Sequence, residues 1–296
     1  MPVSKHLARV FVIAAAIALH ASGVFAQEVC DSVVHYGNNP EAGKYGDVNG
    51  IRLYYETYGD GPPLLIIHGN GGTINAMQCQ IAFFARNHHV IAADSRGHGK
   101  SGLGDGGLTQ AMIADDLATL LSSLGIQQAD VLGHSDGGIV ALLFAIRHPG
   151  QAGKVVASAA NLRPDASGQY QWFIDRIEVQ LKEAERMIAA KDTSRDWNRR
   201  RLQIEMMLKE PHITGSDLSK ISAPVLVVGS DADLVPLEHF VEIYEGIRNA
   251  QLFIMPGATH GMNRREAELF NSVASRFLDR PFSRPTTREP TPRTAP

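Results

Sequence analysis

The sequence predicts an α/β fold: a mostly parallel central sheet, covered by helices on both faces, with a helical cap insertion. Short uncharged runs of Val, Ile, Leu and Ala alternate along the chain with longer stretches of helical spacing. Uncharged strands of this kind are buried on both faces of a parallel sheet. The composition agrees with this class, because 44% hydrophobic and 20% charged residues are usual for a packed globular protein.

The individual strands and helices follow from local patterns. The run 51–58 alternates in polarity and ends at Gly59, which predicts a strand. Helical spacing over 109–124 ends at Gly125, a residue that commonly terminates helices. The further predicted strands are 64–67, 90–93, 131–132, 154–160, 225–228 and 252–255, and the further predicted helices are 138–148, 237–247 and 266–278.

One segment, 162–221, interrupts this alternation and contains no clear strand. Its spacing predicts two helices, 169–190 and 196–209. Aromatic and Met side chains concentrate in the segment: Trp172, Phe173, Trp197, Met206 and Met207. We interpret it as a helical cap near the carboxyl ends of the strands, where ligands bind in open parallel sheets, and we predict that Trp172 contacts the substrate. The alternative is an ordinary pair of packing helices.

Residues 1–26 have the pattern of a secretory signal peptide. Lys5 and Arg9 precede or border the uncharged apolar run 10–19, and small residues precede a cleavage site after Ala26. A run of ten residues is shorter than the about 20 that a membrane-spanning helix requires. We therefore predict an exported protein, periplasmic or secreted, without a stable membrane anchor. A retained anchor is the alternative.

The remaining boundaries follow from composition. The predicted segments are an N-terminal arm at 27–44, a core at 45–161 and 222–280, and a tail at 281–296. Five prolines among the last sixteen residues predict that the tail is disordered. The chain has two cysteines, Cys30 and Cys79, which can pair in an oxidising compartment or remain free thiols.

The segment 133–138 carries the chemistry that the sequence predicts. It reads Gly-His-Ser-Asp-Gly-Gly between a predicted strand and a predicted helix. A Gly-x-Ser-x-Gly motif in this context places the serine on a turn too sharp for side chains at the flanking positions. The turn exposes the Ser135 hydroxyl and leaves the N–H of Asp136 at a helix N-terminus, where it can stabilise negative charge. We therefore predict that Ser135 is a nucleophile.

A serine nucleophile needs a base, and the base needs a carboxylate that orients it. Of the twelve histidines, His260 follows the last predicted strand, at the sheet edge where Ser135 is expected. Asp231 and Asp233 both follow the strand before it. We predict that His260 is the base and Asp233 the orienting acid, with Asp231 as the alternative.

These motifs resemble the α/β-hydrolase superfamily over nearly all of residues 45–280. The matching pieces are His68, Gly69 and Asn70, the segment 94–101, the segment 133–138, Asp233 and His260. The resemblance implies hydrolase chemistry without a cofactor and a variable cap where residues 162–221 lie. It also implies an oxyanion hole formed by the N–H groups of Asn70 and Asp136. Gly71 is the alternative to Asn70.

Two positions need comment against the family pattern. The family's acid usually stands three residues after the glycine at the strand end, whereas Asp233 stands four residues after Gly229. Asp136 directly follows the nucleophile, and valacyclovir-hydrolase-like members of the family share the Ser-Asp-Gly-Gly stretch. A carboxylate there can hold an ammonium group of the substrate, or it can cap its own helix.

The sequence offers little support for the binding of nucleic acids, nucleotides or metal ions. A net charge of −3 argues against a protein that neutralises nucleic-acid phosphates. The segment 97–101 resembles the end of a P-loop, but Asp94 stands where the first glycine is required. Glycines at 102, 104 and 107 lie too far from a strand for a dinucleotide fingerprint, and no His-Glu-x-x-His zinc motif occurs. We predict no cofactor, no metal and no nucleic-acid partner.

The sequence thus predicts an exported serine hydrolase that cleaves a carboxylic ester or related acyl bond of a small molecule. The same residues can act on a lactone, an amide, an aminoacyl ester or a C–C bond. Two further alternatives are a cofactor-free perhydrolase or acyltransferase and a non-catalytic binding module of the same fold. The oligomeric state is left open.

Overall fold

The computed structural model describes residues 34–284, which build an eight-stranded sheet with helices packed on both faces. The strands are β1 Gly43–Val48, β2 Ile51–Tyr58, β3 Pro63–Ile67, β4 His89–Ala93, β5 Ala129–His134, β6 Ala152–Ser158, β7 Val225–Ala232 and β8 Ala250–Thr259. The helices are α1 Gln78–Phe84, α2 Gln110–Ser123, α3 Asp136–Arg147, α4 Gln171–Ala189, α5 Trp197–Lys209, α6 Gly215–Leu218, α7 Leu237–Gly246, α8 Met262–Arg265 and α9 Ala267–Asp279.

The sheet is mostly parallel, which confirms the predicted fold class. The strand order is β1-β2-β4-β3-β5-β6-β7-β8. Strand β2 runs antiparallel to both of its neighbours, β1 and β4, and the other neighbouring pairs are parallel. The loops after β3, β5, β7 and β8 therefore meet near one edge of the sheet.

Strand β3 shows why the central strands carry no charge. Leu64 lies in the same apolar layer as Phe84 of α1, and Leu65 lies in the opposite layer with Phe144 of α3. Both leucines are 0% exposed. Burying a Leu side chain is worth about 1.5–3 kcal/mol, so an uncharged run is required wherever both faces of the strand are covered.

The elements predicted from the sequence do not include β1 or the three short helices α1, α6 and α8. Strand β1 lies at the edge of the sheet and is largely half-buried or exposed, so it carries no long apolar run. Its turn into β2 did hold a signal, because Asn-Gly is the preferred pair for a two-residue hairpin. Asn49 and Gly50 have φ values of 40° and 78°, the left-handed conformation that such a turn requires.

Hydrogen bonds to one buried carboxylate hold the residues before β1 against the sheet. Glu56 of β2 accepts hydrogen bonds from the N–H of Gly37 at 2.7 Å and of Asn39 at 3.1 Å. It also accepts from the hydroxyls of Tyr54 and Tyr58, at 2.6 and 2.7 Å. Four donors thus surround a side chain that is fully buried. The last part of the predicted arm therefore contacts the core directly.

Several predicted features fall on residues that the structure does not describe. The signal peptide at 1–26, the first part of the arm and the tail from residue 285 onward lie outside the described range. Cys30 also lies outside it, so the Cys30–Cys79 pairing stays a prediction, while Cys79 is buried in α1. Within 34–284, no helix is long and apolar enough to cross a membrane.

The segment 162–221 forms a helical insertion between β6 and β7. Helices α4 and α5 pack on each other through a small apolar cluster of their own, which contains Ile177, Ala184 and Ile204. The insertion is joined to the sheet side by hydrogen bonds, such as Gln203 Nε2 to the carbonyl of Gly97 at 2.7 Å. We call this insertion the cap from here on.

Candidate active site

Ser135 occupies a sharp turn between β5 and α3. Its backbone has φ 59° and ψ −125°, a conformation that side chains rarely adopt. Glycine is required around it, because a Cβ on Gly133 would lie 1.9 Å from the carbonyl oxygen of Gly137. A Cβ on Gly137 would lie 2.2 Å from the carbonyl oxygen of Ile67 in β3. The motif therefore folds as predicted, with the serine hydroxyl raised at the end of β5.

His260 and Asp233 complete a chain of hydrogen bonds that starts at this serine. The His260 Nε2 atom lies 2.9 Å from Ser135 Oγ, and its Nδ1 atom lies 2.7 Å from Asp233 Oδ1. The Asp233 carboxylate also accepts from the backbone N–H of Leu234 at 2.7 Å and from the Ser230 hydroxyl at 3.0 Å. The three predicted side chains, from three separate loops, are therefore in contact.

The environment of Asp233 keeps its carboxyl group ionised. The side chain is 0% exposed, and burial alone would raise its pKa. The hydrogen bond and positive charge of His260, together with the Leu234 N–H, outweigh burial and lower the pKa of Asp233. A buried carboxylate of this kind can orient an imidazole and stabilise it when it becomes charged.

Asp231, the alternative acid, has a different set of partners. Its carboxylate accepts from the N–H groups of Gly257 and Ala258, at 2.8 and 3.2 Å, in the segment that leads to His260. Strand β7 extends to Ala232, beyond the predicted end at residue 228, and its pairing with β8 shifts register there. That irregularity accounts for the spacing from Gly229 and directs Asp233, not Asp231, at the imidazole.

The loop after β3 approaches Ser135 closely. A Cβ on Gly69 would lie 3.0 Å from Ser135 Cβ and 3.6 Å from its Oγ. Among hydrogen bonds to described residues, none uses the N–H of Asn70 or of Asp136. Asp136 is the first residue of α3, so its N–H has no partner within the helix. The alternative donor, Gly71, lies beside the Arg200 guanidinium of the cap.

The Asn70 side chain connects this loop to the cap and to the nucleophile turn. Its Nδ2 donates to Asp136 Oδ2 at 3.0 Å and to the carbonyl of Gln203 at 2.9 Å. Its Oδ1 accepts from Arg200 Nη1 at 3.1 Å. One amide group therefore touches both α5 of the cap and the residue next to Ser135.

Asp136 does not serve as the helix cap considered from the sequence. The N-cap position of α3 is Ser135, and no side chain caps the helix. The Asp136 carboxylate is held by Asn70 instead, with a further contact to the Gln110 side chain. Burial raises the pKa of Asp136, and the negative charge of nearby Glu210 raises it further. Two carboxyl groups therefore face the same small space.

That space is a narrow cavity of about 20 Å³ in front of Ser135. Its polar lining includes Glu210, Asn161 and Gln169 beside Ser135, Asp136 and His260. Its apolar lining comes from both core and cap: Ile139, Ala159, Phe173, Met207, Leu234 and Val235. Glu210 has no sequence signal that would have marked it, because its position depends on how the cap folds over the sheet.

Trp172, predicted to contact the substrate, does not line this cavity. It is 53% exposed, and its ring meets that of Phe173 edge-on, with the centroids 5.9 Å apart. Successive side chains on a helix point about 100° apart because there are about 3.6 residues per turn. Phe173 therefore faces the site while its neighbour faces outward, which corrects the predicted position of the aromatic side chain.

His134, the residue before Ser135, packs beside His260. Its ring is 5.2 Å from that of His260, and its Nδ1 is 3.1 Å from the Ser158 hydroxyl. Burial and the charge of His260 lower its pKa to about 3, so the ring is neutral at ordinary pH. Within residues 34–284, no group of three or more His, Cys, Asp or Glu side chains is arranged to hold a metal ion.

Comparison with known proteins agrees with this geometry. A family model described as the alpha/beta hydrolase fold matches residues 62–195. The putative carbamate hydrolase RutD of Caulobacter sp. (strain K31) is 31% identical over 270 residues, covering 79% of this chain and 97% of the relative. The serine hydrolase BPHL of Mus musculus is 29% identical over 248 residues, covering 78% and 84% respectively.

Solved structures show the same fold. The enol-lactonase from Burkholderia xenovorans LB400 superposes with a TM-score of 0.65 at 21% identity, covering 80% of this chain and 100% of that one. The chain described here belongs to the α/β-hydrolase family, and it is a hydrolase.

Proposed function

We propose that the chain is an exported serine hydrolase that cleaves carboxylic esters through Ser135, His260 and Asp233. The observation that carries this proposal is the unbroken series of hydrogen bonds from the Asp233 carboxylate through the imidazole to the Ser135 hydroxyl. When Nδ1–H donates to Asp233, the Nε2 atom has a free lone pair and accepts the serine proton.

The proposed reaction has two halves. Ser135 Oγ attacks the ester carbonyl carbon as its proton moves to His260 Nε2, and the resulting oxyanion accepts hydrogen bonds from the N–H groups of Asn70 and Asp136. The protonated His260 then gives its proton to the departing alcohol, which leaves an acyl group on Ser135. Water, deprotonated by His260, attacks this acyl-enzyme and releases the acid.

A labelling experiment tests this proposal. A fluorophosphonate probe should label the wild-type protein, and Ser135→Ala should lose both the label and turnover of p-nitrophenyl acetate. Ser123→Ala, an exposed serine on α2, is the matched control and should retain both. A folded wild-type protein that takes no label would instead favour a non-catalytic binding module of the same fold.

We propose that the cleaved bond is an ester because its alcohol leaving group requires no residue beyond Ser135, His260 and Asp233. RutD is described as a putative carbamate hydrolase, and two further relatives are described as a 2-hydroxymuconate semialdehyde hydrolase and a non-heme haloperoxidase. A panel of esters, lactones, amides and a vinylogous ketone, with a peroxide-dependent halogenation assay beside it, compares these possibilities. Ester turnover below that of another class would contradict the assignment.

A second candidate, an aminoacyl-ester hydrolase, is favoured by the two carboxyl groups at the cavity. Asp136 and Glu210 both line it, and neither forms an ion pair with a described Lys, Arg or His. An ammonium group on the acyl part of a substrate would neutralise this charge. The p-nitrophenyl esters of L-valine and 3-methylbutanoate form a matched pair that differs by the amine.

If the amine is recognised, Asp136→Asn should lower kcat/KM for the valine ester by roughly 10-fold, the value of one charge-assisted hydrogen bond. The 3-methylbutanoate ester should change little, since the backbone N–H of residue 136 is retained. Equal losses on both esters would exclude amine recognition by this carboxylate.

Export is proposed from the N-terminal pattern alone. Lys5 and Arg9, the apolar run 10–19 and the small residue Ala26 support cleavage after residue 26. Expression of the full chain in a bacterial host with an outer membrane should release a mature protein beginning at Gln27 into the periplasm. An intact mass that retains residues 1–26 in a membrane fraction would favour the retained anchor instead.

A further inference from the structure

A second cleft is lined by Asn70, whose side chain also donates to Asp136 of the cavity in front of Ser135. Its volume is about 410 Å³, and it is open to solvent between α5 of the cap and the loops after β3 and β4. Three arginines of the cap border it, Arg195, Arg199 and Arg200, together with a single carboxylate, Asp196. The side chains around this cleft, which we call the arginine cleft, therefore carry a positive excess.

Two of these arginines have no acidic partner among the described residues. Elsewhere in the cap, each of the following cations pairs with a carboxylate: Arg163, Arg186, Arg201, Lys209 and Lys220. Arg200 is surrounded instead by neutral oxygens, from Asn70 at 3.1 Å, Gln203 at 3.3 Å and Gln180 at 2.7 Å. Arg195 stacks over the Trp197 ring, 5.1 Å from its centroid.

The contacts of Arg199 balance its positive charge only in part. Its Nη1 donates weakly to the carbonyls of Gly99 and Ser101, at 3.3 and 3.5 Å. Its Nε is buried and makes no hydrogen bond to any described residue. This atom lies 3.4 Å from the Asp196 carboxylate, which itself accepts from the Arg199 N–H at the start of α5. The cleft is thus bordered by three guanidinium groups and by one carboxylate, which within residues 34–284 pairs with Arg199 alone.

The loop opposite these arginines is shaped to let them approach. Gly71 has φ 66°, and a Cβ at this position would lie 2.9 Å from Arg200 Nη1. Burial and the positive charge of Arg195 lower the pKa of Arg200, which reflects a guanidinium that lacks a counter-ion. Partly buried cations without partners are costly, and a bound anion removes that cost.

We propose that the arginine cleft is a subsite that binds an anionic group, a carboxylate or a phosphate, on one end of the substrate. This inference rests on the proposed ester hydrolysis, because it assigns the cleft to the same substrate. The link is Asn70, whose side chain accepts from Arg200 and donates to Asp136, the residue after the nucleophile. A substrate that reaches from Ser135 past Asn70 would place its far end among the guanidinium groups.

Matched ester pairs test the proposal on both sides of the scissile bond. On the acyl side, mono-p-nitrophenyl glutarate is compared with p-nitrophenyl pentanoate, and on the alcohol side 4-acetoxybenzoate is compared with phenyl acetate. A third pair, 1-acetylglycerol 3-phosphate and 1-acetylglycerol, distinguishes a phosphate from a carboxylate. In at least one pair the wild-type enzyme should prefer the anionic member.

The variant of choice is Arg195→Gln, because Arg195 is exposed and contacts neither Asn70 nor the nucleophile turn. It should lower kcat/KM for the preferred anionic ester by roughly 10-fold, the value of one charge-assisted contact. The neutral member should stay within about twofold, and Arg195→Lys should restore part of the loss. Arg176→Gln, an exposed arginine of α4 away from the cleft, is the charge-matched control and should change neither ester.

The outcomes separate this inference from the proposed function. If Ser135→Ala still hydrolyses esters, the proposed function fails, and calorimetric titration of glutarate and of inorganic phosphate into wild type and Arg195→Gln still tests the cleft. Binding that Arg195→Gln weakens supports an anion site. Absence of binding, or equal effects of Arg195→Gln on the anionic and neutral esters, overturns the proposal.

Discussion

At the scale of single residues, the two aspartates at the end of β7 make different contacts. Asp233 meets the imidazole of His260, while Asp231 holds the backbone of the segment that carries that imidazole. The sequence places two acids near the end of one strand, and it does not reveal that the pairing of β7 with β8 shifts register between Ser230 and Ala232. This is why the acid was the least determined member of the predicted set.

We expect Asp233→Asn to lower kcat by about 10³–10⁴-fold, because an amide favours the wrong imidazole tautomer and cannot stabilise the charged ring. Asp231→Asn leaves the His260 contact in place, so its loss should be far smaller, within about 10-fold. Steady-state kinetics on p-nitrophenyl acetate, with thermal melts of both variants, measure the difference. An Asp231→Asn variant as inactive as Asp233→Asn would reverse the assignment.

At the scale of secondary-structure elements, the buried strands were predictable and the edge was not. Strands β3 to β7 are covered on both faces, so burial dictates runs of apolar residues that can be read directly. Strand β1 is exposed, and α1 is a seven-residue helix without a side-chain cap at its N-terminus. Apart from the Asn-Gly turn that follows β1, neither element leaves a strong local signal, because tertiary packing stabilises both.

The cap helices were predictable as helices, but not in their rotation about the helix axis. Helical spacing predicted the bounds of α4 and α5 to within a few residues. The side of each helix that faces Ser135 depends instead on how the pair packs against the sheet. That docking places Phe173 and Glu210 at the cavity and Arg200 at the arginine cleft. The sequence motifs therefore predicted Ser135, Asp233 and His260 but not most of the other residues that line the cavity.

The rotation of α4 can be tested with a matched pair of variants. Phe173→Ala should lower kcat/KM for p-nitrophenyl butanoate by roughly 10-fold, because it removes apolar surface from the cavity wall. Trp172→Ala, one residue away and exposed, should stay within about twofold. Thermal melts check that the cap cluster survives in both. A larger kinetic effect from Trp172→Ala would place the other face of α4 toward the substrate.

At the scale of the whole molecule, buried histidines link stability to pH. Burial lowers the pKa of His68 to about 4, and burial together with neighbouring positive charge lowers the pKa of His98 and of His134 to about 3. In the unfolded chain these side chains titrate near their ordinary pKa of 6.5. Between those values the unfolded state binds more protons, so the free energy of unfolding falls as pH falls.

We therefore expect the free energy of unfolding to decrease from about pH 6.5 toward pH 4, with each buried histidine contributing at most about 1.4 kcal/mol per pH unit. Asp94 and Asp136 act in the opposite sense, because burial raises their pKa and the folded state takes up their protons first. Urea denaturation at several pH values measures the slope.

The histidine contribution can be isolated with one variant. His98→Asn keeps a side-chain donor for the carbonyl of Arg96 and removes the titrating ring, whose Nε2 has no hydrogen-bond partner within residues 34–284. Between pH 6.5 and 4, the free energy of unfolding of this variant should change less steeply with pH than that of the wild type. The difference should be about 1.4 kcal/mol per pH unit, the contribution of one proton. Identical slopes would mean that other groups govern the acid sensitivity.

The three hydrogen bonds of the Asn70 side chain have a consequence for protein engineering. The same amide bonds α5 on one side and the residue beside the nucleophile on the other. A cap transplanted from another hydrolase would change substrate choice and, at the same time, disturb the loop that carries a proposed oxyanion donor. Chimeras that retain Asn70 with Arg200 and the backbone at Gln203 are thus the designs in which specificity can be exchanged without rebuilding the catalytic machinery.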